Sequence, residues 1–128
     1  MTKNLEAERR TGARFVVSLP IKVEWKDETG NSVLEEGLTE NVGADGTLIH
    51  LPKRLPSVGT RVQLAVYEVE GKGQIAAAEA EVLRLERNPA HQQAALRLVD
   101  ALDDWRVKVF ESEDVRIAAV GTPEEFDD

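Results

Sequence analysis

The sequence contains no cysteine and only two histidines, His50 and His91. Without cysteine the chain can form neither a disulfide framework nor a thiolate metal site, and this composition is typical of a reducing compartment. A zinc site would need carboxylates in addition to the two histidines, which lie far apart in the sequence. We therefore expect one histidine in a strand, the other in a loop, and no bound metal.

Long apolar runs are also missing, because no run exceeds a few residues. A transmembrane helix needs about 20 predominantly apolar residues. Residues 1–6 lack the apolar core of a signal peptide. From these features we expect a soluble, cytoplasmic protein that does not insert into a membrane.

Signatures of catalysis are absent as well. The sequence contains neither a Gly-x-Ser-x-Gly motif nor a phosphate-loop lysine motif. The 24 acidic residues make chance carboxylate pairs common, and no pair has a distinctive spacing. We expect the protein not to be an enzyme. A deep pocket holding a carboxylate or histidine with a pKa shifted by burial would favour the opposite conclusion.

Acidic residues outnumber basic ones, 24 to 16, and the formal net charge is −8. Such a chain is poorly suited to DNA or RNA, whose binding depends mainly on phosphate neutralisation. We therefore predict neither DNA nor RNA as a partner. An anionic ligand would need a local basic cluster, and Arg9, Arg10 and Arg14 form the densest one near the N-terminus.

Alternation of apolar and polar residues is the main structural signal in this chain of 128 residues, a length that fits one domain. The residues at every second position from 17 to 25 are apolar, which predicts a strand with one buried face. Similar short runs separated by turn residues continue to about residue 100. They predict an all-β, mainly antiparallel barrel or sandwich.

Proline, glycine and alanine make parts of this pattern less regular. Pro20 cannot donate to a strand ladder and indicates an edge strand or a bulge. Gly37 interrupts a weaker strand predicted near residues 33–40. Residues 76–85 are predicted as a strand, although their alanines also suit a helix.

Beyond the last predicted strand, the apolar spacing lengthens. Leu102, Trp105 and Val109 fall at helical spacing, which predicts a helix to about residue 114 with Asp100 or Asp103 as its N-cap. Such a helix could plug an open barrel end.

The chain is thereby divided into four segments. Residues 1–14 are predicted as a flexible arm that carries the arginines, and residues 15–100 as the barrel. Residues 101–120 form a C-terminal helix or extension, and residues 121–128 an acidic, disordered tail.

Two arginines four positions apart, Arg10 and Arg14, suit one anionic ligand. In an extended segment their Cα atoms lie roughly 13 Å apart on the same side, and in a helix roughly 6 Å apart. The planar guanidinium pairs bidentately with phosphate, stacks on bases and matches the O6 and N7 acceptors of guanine. Arg9 could add a third contact. Taken alone, the arginines are also consistent with a solvated basic tail that offsets an acidic body.

The segment from Asn41 to Gly46 is rich in turn-forming residues and is predicted to be a turn that leads into a short strand. Its two glycines, Gly43 and Gly46, permit close backbone approach. The Asn41 side chain both donates and accepts hydrogen bonds, so it could read a base edge or cap a turn. Taken alone, this segment favours an ordinary turn between strands over a ligand site.

The order of these elements resembles the PilZ domain family. An arm with two arginines precedes a first strand, and an Asn-x-x-x-x-Gly turn enters a later one. Residues 55–60 (Leu-Pro-Ser-Val-Gly-Thr) are similar to the Pro-x-Gly loop of these domains, and the strands at residues 81–84 and 94–99 follow in the expected order. The resemblance covers roughly residues 9–100. It implies a six-stranded antiparallel β-barrel with a flexible N-terminal arm and a C-terminal helix.

The resemblance also implies a set of residues that bind cyclic di-GMP: Arg9, Arg10, Arg14, Asn41, Gly43 and Gly46. Arg10 and Arg14 match the family's Arg-x-x-x-Arg motif. Asn41 and Gly46 match its Asp/Asn-x-Ser-x-x-Gly motif, with Gly43 in place of the serine. A neutral hydrogen bond contributes about 0.5–1.5 kcal/mol, so loss of the hydroxyl predicts binding weakened by up to about tenfold.

PilZ domains usually act as receptors or adaptors. The resemblance therefore implies a non-catalytic receptor whose arm becomes ordered on cyclic di-GMP and signals to an unidentified protein effector. It implies no metal and no cofactor besides this ligand, and the protein would be a monomer or homodimer. The alternative is a degenerate barrel that has lost nucleotide binding and acts as a protein-interaction module.

Overall fold

The computed structural model describes residues 14–70 and 73–119. Their architecture is a single antiparallel sheet followed by a short helical segment. The seven strands are β1 (Arg14–Phe15), β2 (Pro20–Lys26), β3 (Ser32–Gly43), β4 (Gly46–His50), β5 (Arg61–Tyr67), β6 (Gln74–Glu86) and β7 (Gln93–Leu98).

The sheet closes on itself. Its strand order is β1-β3-β2-β5-β6-β7-β4, and β3 also pairs with β4. Six strands, β2 to β7, therefore form a closed ring, and β1 attaches to the outside of that ring through the last residues of β3. The predicted six-stranded antiparallel barrel is confirmed.

Alternation along the strands builds the barrel interior. In β2 the buried residues are Ile21, Val23 and Trp25, and the residues between them are exposed. Ala78 and Ala80 of β6 are likewise buried, so the alanine-rich segment is a strand, as predicted. The closed ring buries one face of every strand, and this packing outweighs the weak helical preference of alanine.

Pro20 does not mark an edge or a bulge, so that prediction was wrong. It is the first residue of β2, which lies between β3 and β5 inside the sheet. At the start of a strand, a missing N–H group removes no internal bond of the ladder.

Gly37 does not interrupt β3 either. The strand runs through it, and a Cβ atom at this position would overlap the carbonyl oxygen of His50. Glycine thus permits the close approach of β4 to β3. The irregularity of β3 lies further on, at Glu40, which is an extra residue between the pairs Thr39–Ile49 and Asn41–Leu48.

The C-terminal segment is helical but not one continuous helix. It consists of α1 (Leu102–Trp105), a π-helical turn (Arg106–Phe110) and α2 (Glu113–Ala118). The prediction of a single helix to residue 114 was wrong, because the sequence restarts the helix at Ser112. The Ser112 hydroxyl accepts from the backbone N–H of Val115 and caps α2.

The predicted N-caps of α1 were also wrong. Ala101, with a left-handed φ of 55°, occupies that position without a side-chain cap. The Asp100 carboxylate instead accepts from the backbone N–H of Glu79 at 2.8 Å, so it ties the end of β7 to β6.

The helical segment packs its apolar side chains into the barrel core. Trp105, Val109 and Val115 are all at most 2% exposed and belong to the same buried cluster as the strand residues. The segment therefore covers the barrel beside the C-terminal end of β3. None of the helices in residues 14–70 and 73–119 is long and apolar enough to span a membrane.

Candidate functional site

The structure brings the two predicted motifs together. β1 pairs with the end of β3, so that Arg14 lies opposite Gly43. The Arg14 Nη1 atom donates to Asn41 Oδ1 at 2.8 Å. Arg9 and Arg10 lie outside the described residues, so the contact joins one arginine of the first motif to the asparagine of the second. The two residues are 27 positions apart in the sequence.

Thr39 holds the connection between β1 and β2 in place. Its side chain is buried and its hydroxyl donates to the carbonyl of Val17. The same hydroxyl accepts from the backbone N–H of Leu19 at 2.8 Å. A buried hydroxyl that serves two backbone groups of one segment fixes that segment against the barrel. Thr39 therefore places β1, and with it Arg14, beside Asn41.

The bulge at Glu40 determines the direction of the Asn41 side chain. Before the bulge Thr39 is buried, and after it Val42 is buried, while Glu40 and Asn41 between them are both partly exposed. A regular strand would send one of these two side chains inward. Thr47 Oγ1 donates to the Asn41 carbonyl oxygen at 2.6 Å and anchors the bulged strand to β4.

Gly43 lies buried beneath Arg14. Its carbonyl oxygen accepts a hydrogen bond from Trp105 Nε1 at 2.8 Å, which joins the end of β3 to α1. Trp105 is buried in the core. Among the described glycines, Gly30 and Gly59 have a positive φ angle, and Gly43 does not. The φ angle at position 43 therefore does not by itself require glycine in place of the serine of the family motif.

Gly46 has a structural role that needs no ligand. It is the first residue of β4 and is paired with Arg97 of β7. A Cβ atom at position 46 would overlap the carbonyl oxygen of Leu96. The close contact between β4 and β7 thus accounts for this glycine, and its proposed contact with cyclic di-GMP stays a prediction.

An aromatic and cationic cluster, which sequence reasoning missed, lies beside β1. The Phe15 and Phe110 rings have centroids 5.2 Å apart. The Arg116 guanidinium carbon lies 4.2 Å from the Phe15 centroid and 5.5 Å from the Phe110 centroid. Arg116 Nε also donates to the Phe110 carbonyl at 3.2 Å. We call Phe15, Phe110 and Arg116 the β1 shelf. No spacing of residues in the sequence predicted this cluster.

A cleft of about 630 Å³ lies at the other end of β3, against the β2–β3 turn. Its lining includes Trp25, Lys53, Arg54 and Arg87, and none of the motif residues. Arg54 Nε is paired with the buried carboxylate of Glu35 at 2.8 Å. The cleft is thus separate from the Arg14–Asn41 contact.

The closed six-stranded ring with an added N-terminal strand and a C-terminal helical segment is a PilZ-like fold. The Bacillus subtilis inhibitor of motility MotI/DgrA shares it with a TM-score of 0.55 and 19% identity, over 88% of this chain and 50% of that one. The PilZ domain of CeSA from a cellulose-synthesizing bacterium matches with a TM-score of 0.50 and 18% identity, over 88% of this chain and 99% of that one. The PilZ domain with c-di-GMP of YcgR from Escherichia coli matches with a TM-score of 0.47 and 14% identity, over 88% of this chain and 90% of that one.

The chain therefore spans half the length of MotI/DgrA and almost all of the CeSA domain. No protein-family model and no curated protein matches the chain. At these identities the likeness shows the fold. The predicted PilZ-like fold is confirmed.

Proposed function

We propose that the protein is a non-catalytic, cytoplasmic receptor for cyclic di-GMP. The observation that carries this proposal is the hydrogen bond between Arg14 and Asn41. It brings one residue of each ligand motif to the same point of a PilZ-like barrel. Arg9 and Arg10 lie four to five positions before Arg14 in the sequence and would complete the site from the N-terminal side.

The chemistry of these side chains suits the ligand. Cyclic di-GMP offers two phosphates and two guanines, and a guanidinium pairs with phosphate oxygens or with the O6 and N7 atoms of guanine. Arg14 is exposed and available for such contacts. The Asn41 oxygen that accepts its hydrogen bond is uncharged, so a negatively charged phosphate would be a stronger acceptor for Arg14. The asparagine amide would then be free to bind a base edge.

The proposed signal passes through β1 and the β1 shelf. Phe15 follows Arg14 directly and contacts both Phe110 and Arg116 of the C-terminal segment. Ordering of residues 1–13 over a ligand bound at Arg14 would cover or extend this surface. A protein effector that prefers the ordered surface would then be recruited by a shift in population.

Titration calorimetry of cyclic di-GMP into the full chain tests the receptor proposal. We expect micromolar or tighter binding to the wild type and loss of binding in the Arg10→Ala/Arg14→Ala double variant. Asn41→Ala should weaken binding because it removes an amide from the site. Arg87→Ala is the matched control, since this exposed arginine lies at the distant cleft. Absence of binding by a wild-type protein whose β-barrel is shown to be folded would overturn the proposal.

A degenerate, protein-binding barrel is the second candidate, and Gly43 is the observation that favours it. The position lacks the serine hydroxyl, its carbonyl is already bonded to Trp105, and Arg14 is already bonded to Asn41. Gly43→Ser separates the two candidates. A receptor should gain up to about tenfold in affinity, from a hydrogen bond contributing about 0.5–1.5 kcal/mol. A degenerate barrel should bind no ligand in either form.

A further inference from the structure

The two histidines of the chain meet on the barrel surface, together with Glu40. His50 ends β4 and His91 lies in the β6–β7 loop, yet their rings stack with centroids 4.7 Å apart and planes inclined by 10°. One ligand atom from each histidine and one from Glu40 lie within 4.8 Å of one another. We propose that Glu40, His50 and His91 bind a divalent transition-metal ion, with Zn²⁺ as the preferred occupant.

His50 is oriented as a metal ligand. Its Nδ1 atom lies 2.8 Å from the carbonyl oxygen of Gln92. A carbonyl oxygen can only accept a hydrogen bond, so Nδ1 carries the hydrogen. The neutral ring then has its lone pair on Nε2. A backbone carbonyl that fixes the tautomer in this way is the usual outer partner of a metal-bound histidine.

Glu40 and His91 are directed to the same point by irregular backbone. Glu40 is the extra residue of the β3 bulge, and such bulges redirect side chains. His91 closes a turn in which its N–H donates to the Asn88 carbonyl at 2.8 Å. The Asn88 side chain also accepts from the N–H of Ala90 at 2.9 Å. His91 Nε2 and Glu40 Oε2 are 2.8 Å apart as a result.

A tetrahedral zinc site requires the three side chains to rearrange. Zinc–ligand bonds of about 2.0–2.1 Å place ligand atoms about 3.3 Å apart. The ligand atoms now lie within 4.8 Å of one another, so they must approach by up to about 1.5 Å. A metal ion lies in the plane of each imidazole that binds it, so the stacked rings of His50 and His91 must also rotate out of their parallel arrangement. The His91 side chain is 50% exposed and that of Glu40 is 28% exposed, so both can rotate toward His50. Three protein ligands would leave the fourth position to water.

The metal would replace only a weak interaction. The contact between His91 Nε2 and Glu40 Oε2 is partly exposed, and even a fully charged pair of this kind contributes little to stability. Two imidazoles and one carboxylate are a ligand set typical of zinc. The absence of cysteine and of other histidines means that no competing site of the same kind exists in the sequence.

Titration of Zn²⁺ into untagged, chelator-treated protein tests the site, with Co²⁺ absorption as a second readout. We expect one ion per chain with micromolar or tighter affinity, and a Co²⁺ spectrum of tetrahedral intensity. His50→Gln and His91→Gln should each weaken binding at least as much as loss of an outer partner does, about 10–100-fold. Glu40→Gln should act in the same direction.

Glu24→Gln is the matched control, because Glu24 is an exposed glutamate on β2 outside the cluster. It should leave Zn²⁺ binding unchanged. His91→Gln alters only a surface loop, so its fold should be intact by circular dichroism. Wild-type protein that binds no Zn²⁺, or histidine variants that bind it as tightly as the wild type, would overturn the proposal. Neither result depends on cyclic di-GMP, so this test is independent of the receptor proposal.

Discussion

The turn before β3 and the C-terminal end of β3 contain similar residue types, but local hydrogen bonds hold the first and contacts with distant residues hold the second. In the β2–β3 turn, the Asp27 carboxylate accepts from the Thr29 hydroxyl at 2.7 Å and from the N–H groups of Thr29 and Asn31 at 2.9 Å. All partners lie within four residues. At the other end, Asn41 is bonded to a residue 27 positions away and Gly43 to one 62 positions away.

The difference distinguishes a turn stabilised by its own residues from a site formed by segments that are distant in the sequence. The turn satisfies its own polar groups and is exposed, so its stability depends little on the barrel. The Arg14–Asn41 site exists only after β1, the bulge and α1 have packed together. Equivalent substitutions should therefore be mild in the turn and severe at the site, and this contrast can be tested pair by pair.

The largest contrast is expected between two glycines. Gly46→Ala places a Cβ atom against the backbone oxygen of Leu96, so β4 and β7 must separate. We expect a loss of about 3 kcal/mol in the free energy of unfolding, the upper part of the range for overpacking. Gly30→Ala meets no atom within 4 Å and is strained only by a φ of 88°, which costs about 1–2 kcal/mol.

Urea unfolding of both glycine variants measures this contrast. The two proteins should keep the wild-type dependence on denaturant and differ in their midpoints. Equal losses would mean that fitting a Cβ atom between β4 and β7 costs no more than the strained φ at Gly30, and would contradict the expected penalty of close packing at Gly46.

A smaller contrast is expected between two threonines. Thr39→Val keeps the side-chain shape but leaves the Val17 carbonyl and the Leu19 N–H without their buried partner. We expect a loss of about 1–3 kcal/mol, together with a looser β1 and faster amide exchange at Phe15. Thr29→Val removes two exposed hydrogen bonds, one that the hydroxyl donates to Asp27 and one that it accepts from Asn31, and should cost at most about 0.5 kcal/mol. Thermal unfolding and hydrogen exchange measure both effects, and an unchanged exchange rate at Phe15 in Thr39→Val would contradict the role of Thr39.

The same contrast explains which features could be predicted from the sequence. The alternation in β2 and the turn residues that follow it are local signals, and they predicted this hairpin correctly. The resemblance in motif order predicted the closed ring of six strands.

The features near the candidate site that sequence reasoning missed depend on distant partners. The bulge at Glu40 requires the register of β4, and the bond from Trp105 requires the helical segment to pack at the end of β3. The contact of His50 with His91 joins residues from two separate hairpins. No spacing within one segment encodes such contacts. Gly46 shows the reverse case, because the motif suggested a ligand where strand packing already accounts for the glycine.

The smallest effect should come from the charge of Asp27. The Thr29 hydroxyl, followed by the N–H of Asn31, holds the pKa of Asp27 below its ordinary value of 3.8. A carboxyl whose pKa is lowered by folding contributes stability above its unfolded pKa, and this contribution is lost as the pH falls through the folded pKa. Asp27→Asn keeps an acceptor oxygen but removes the charge. We therefore expect its melting temperature to be slightly below that of the wild type at neutral pH.

This difference should shrink as the pH falls below 3.8 and through the lowered pKa of Asp27, where the wild-type carboxyl takes up its proton. Glu28→Gln, an exposed neighbour in the same turn, is the matched control and should show no such convergence. The effect must be small, because Asp27 is partly exposed and solvent screens its interactions. A difference that stays constant from neutral to acid pH would show that the turn depends on the shape of the Asp27 side chain rather than on its charge, and the turn would then resemble the Arg14–Asn41 site in depending on geometry alone.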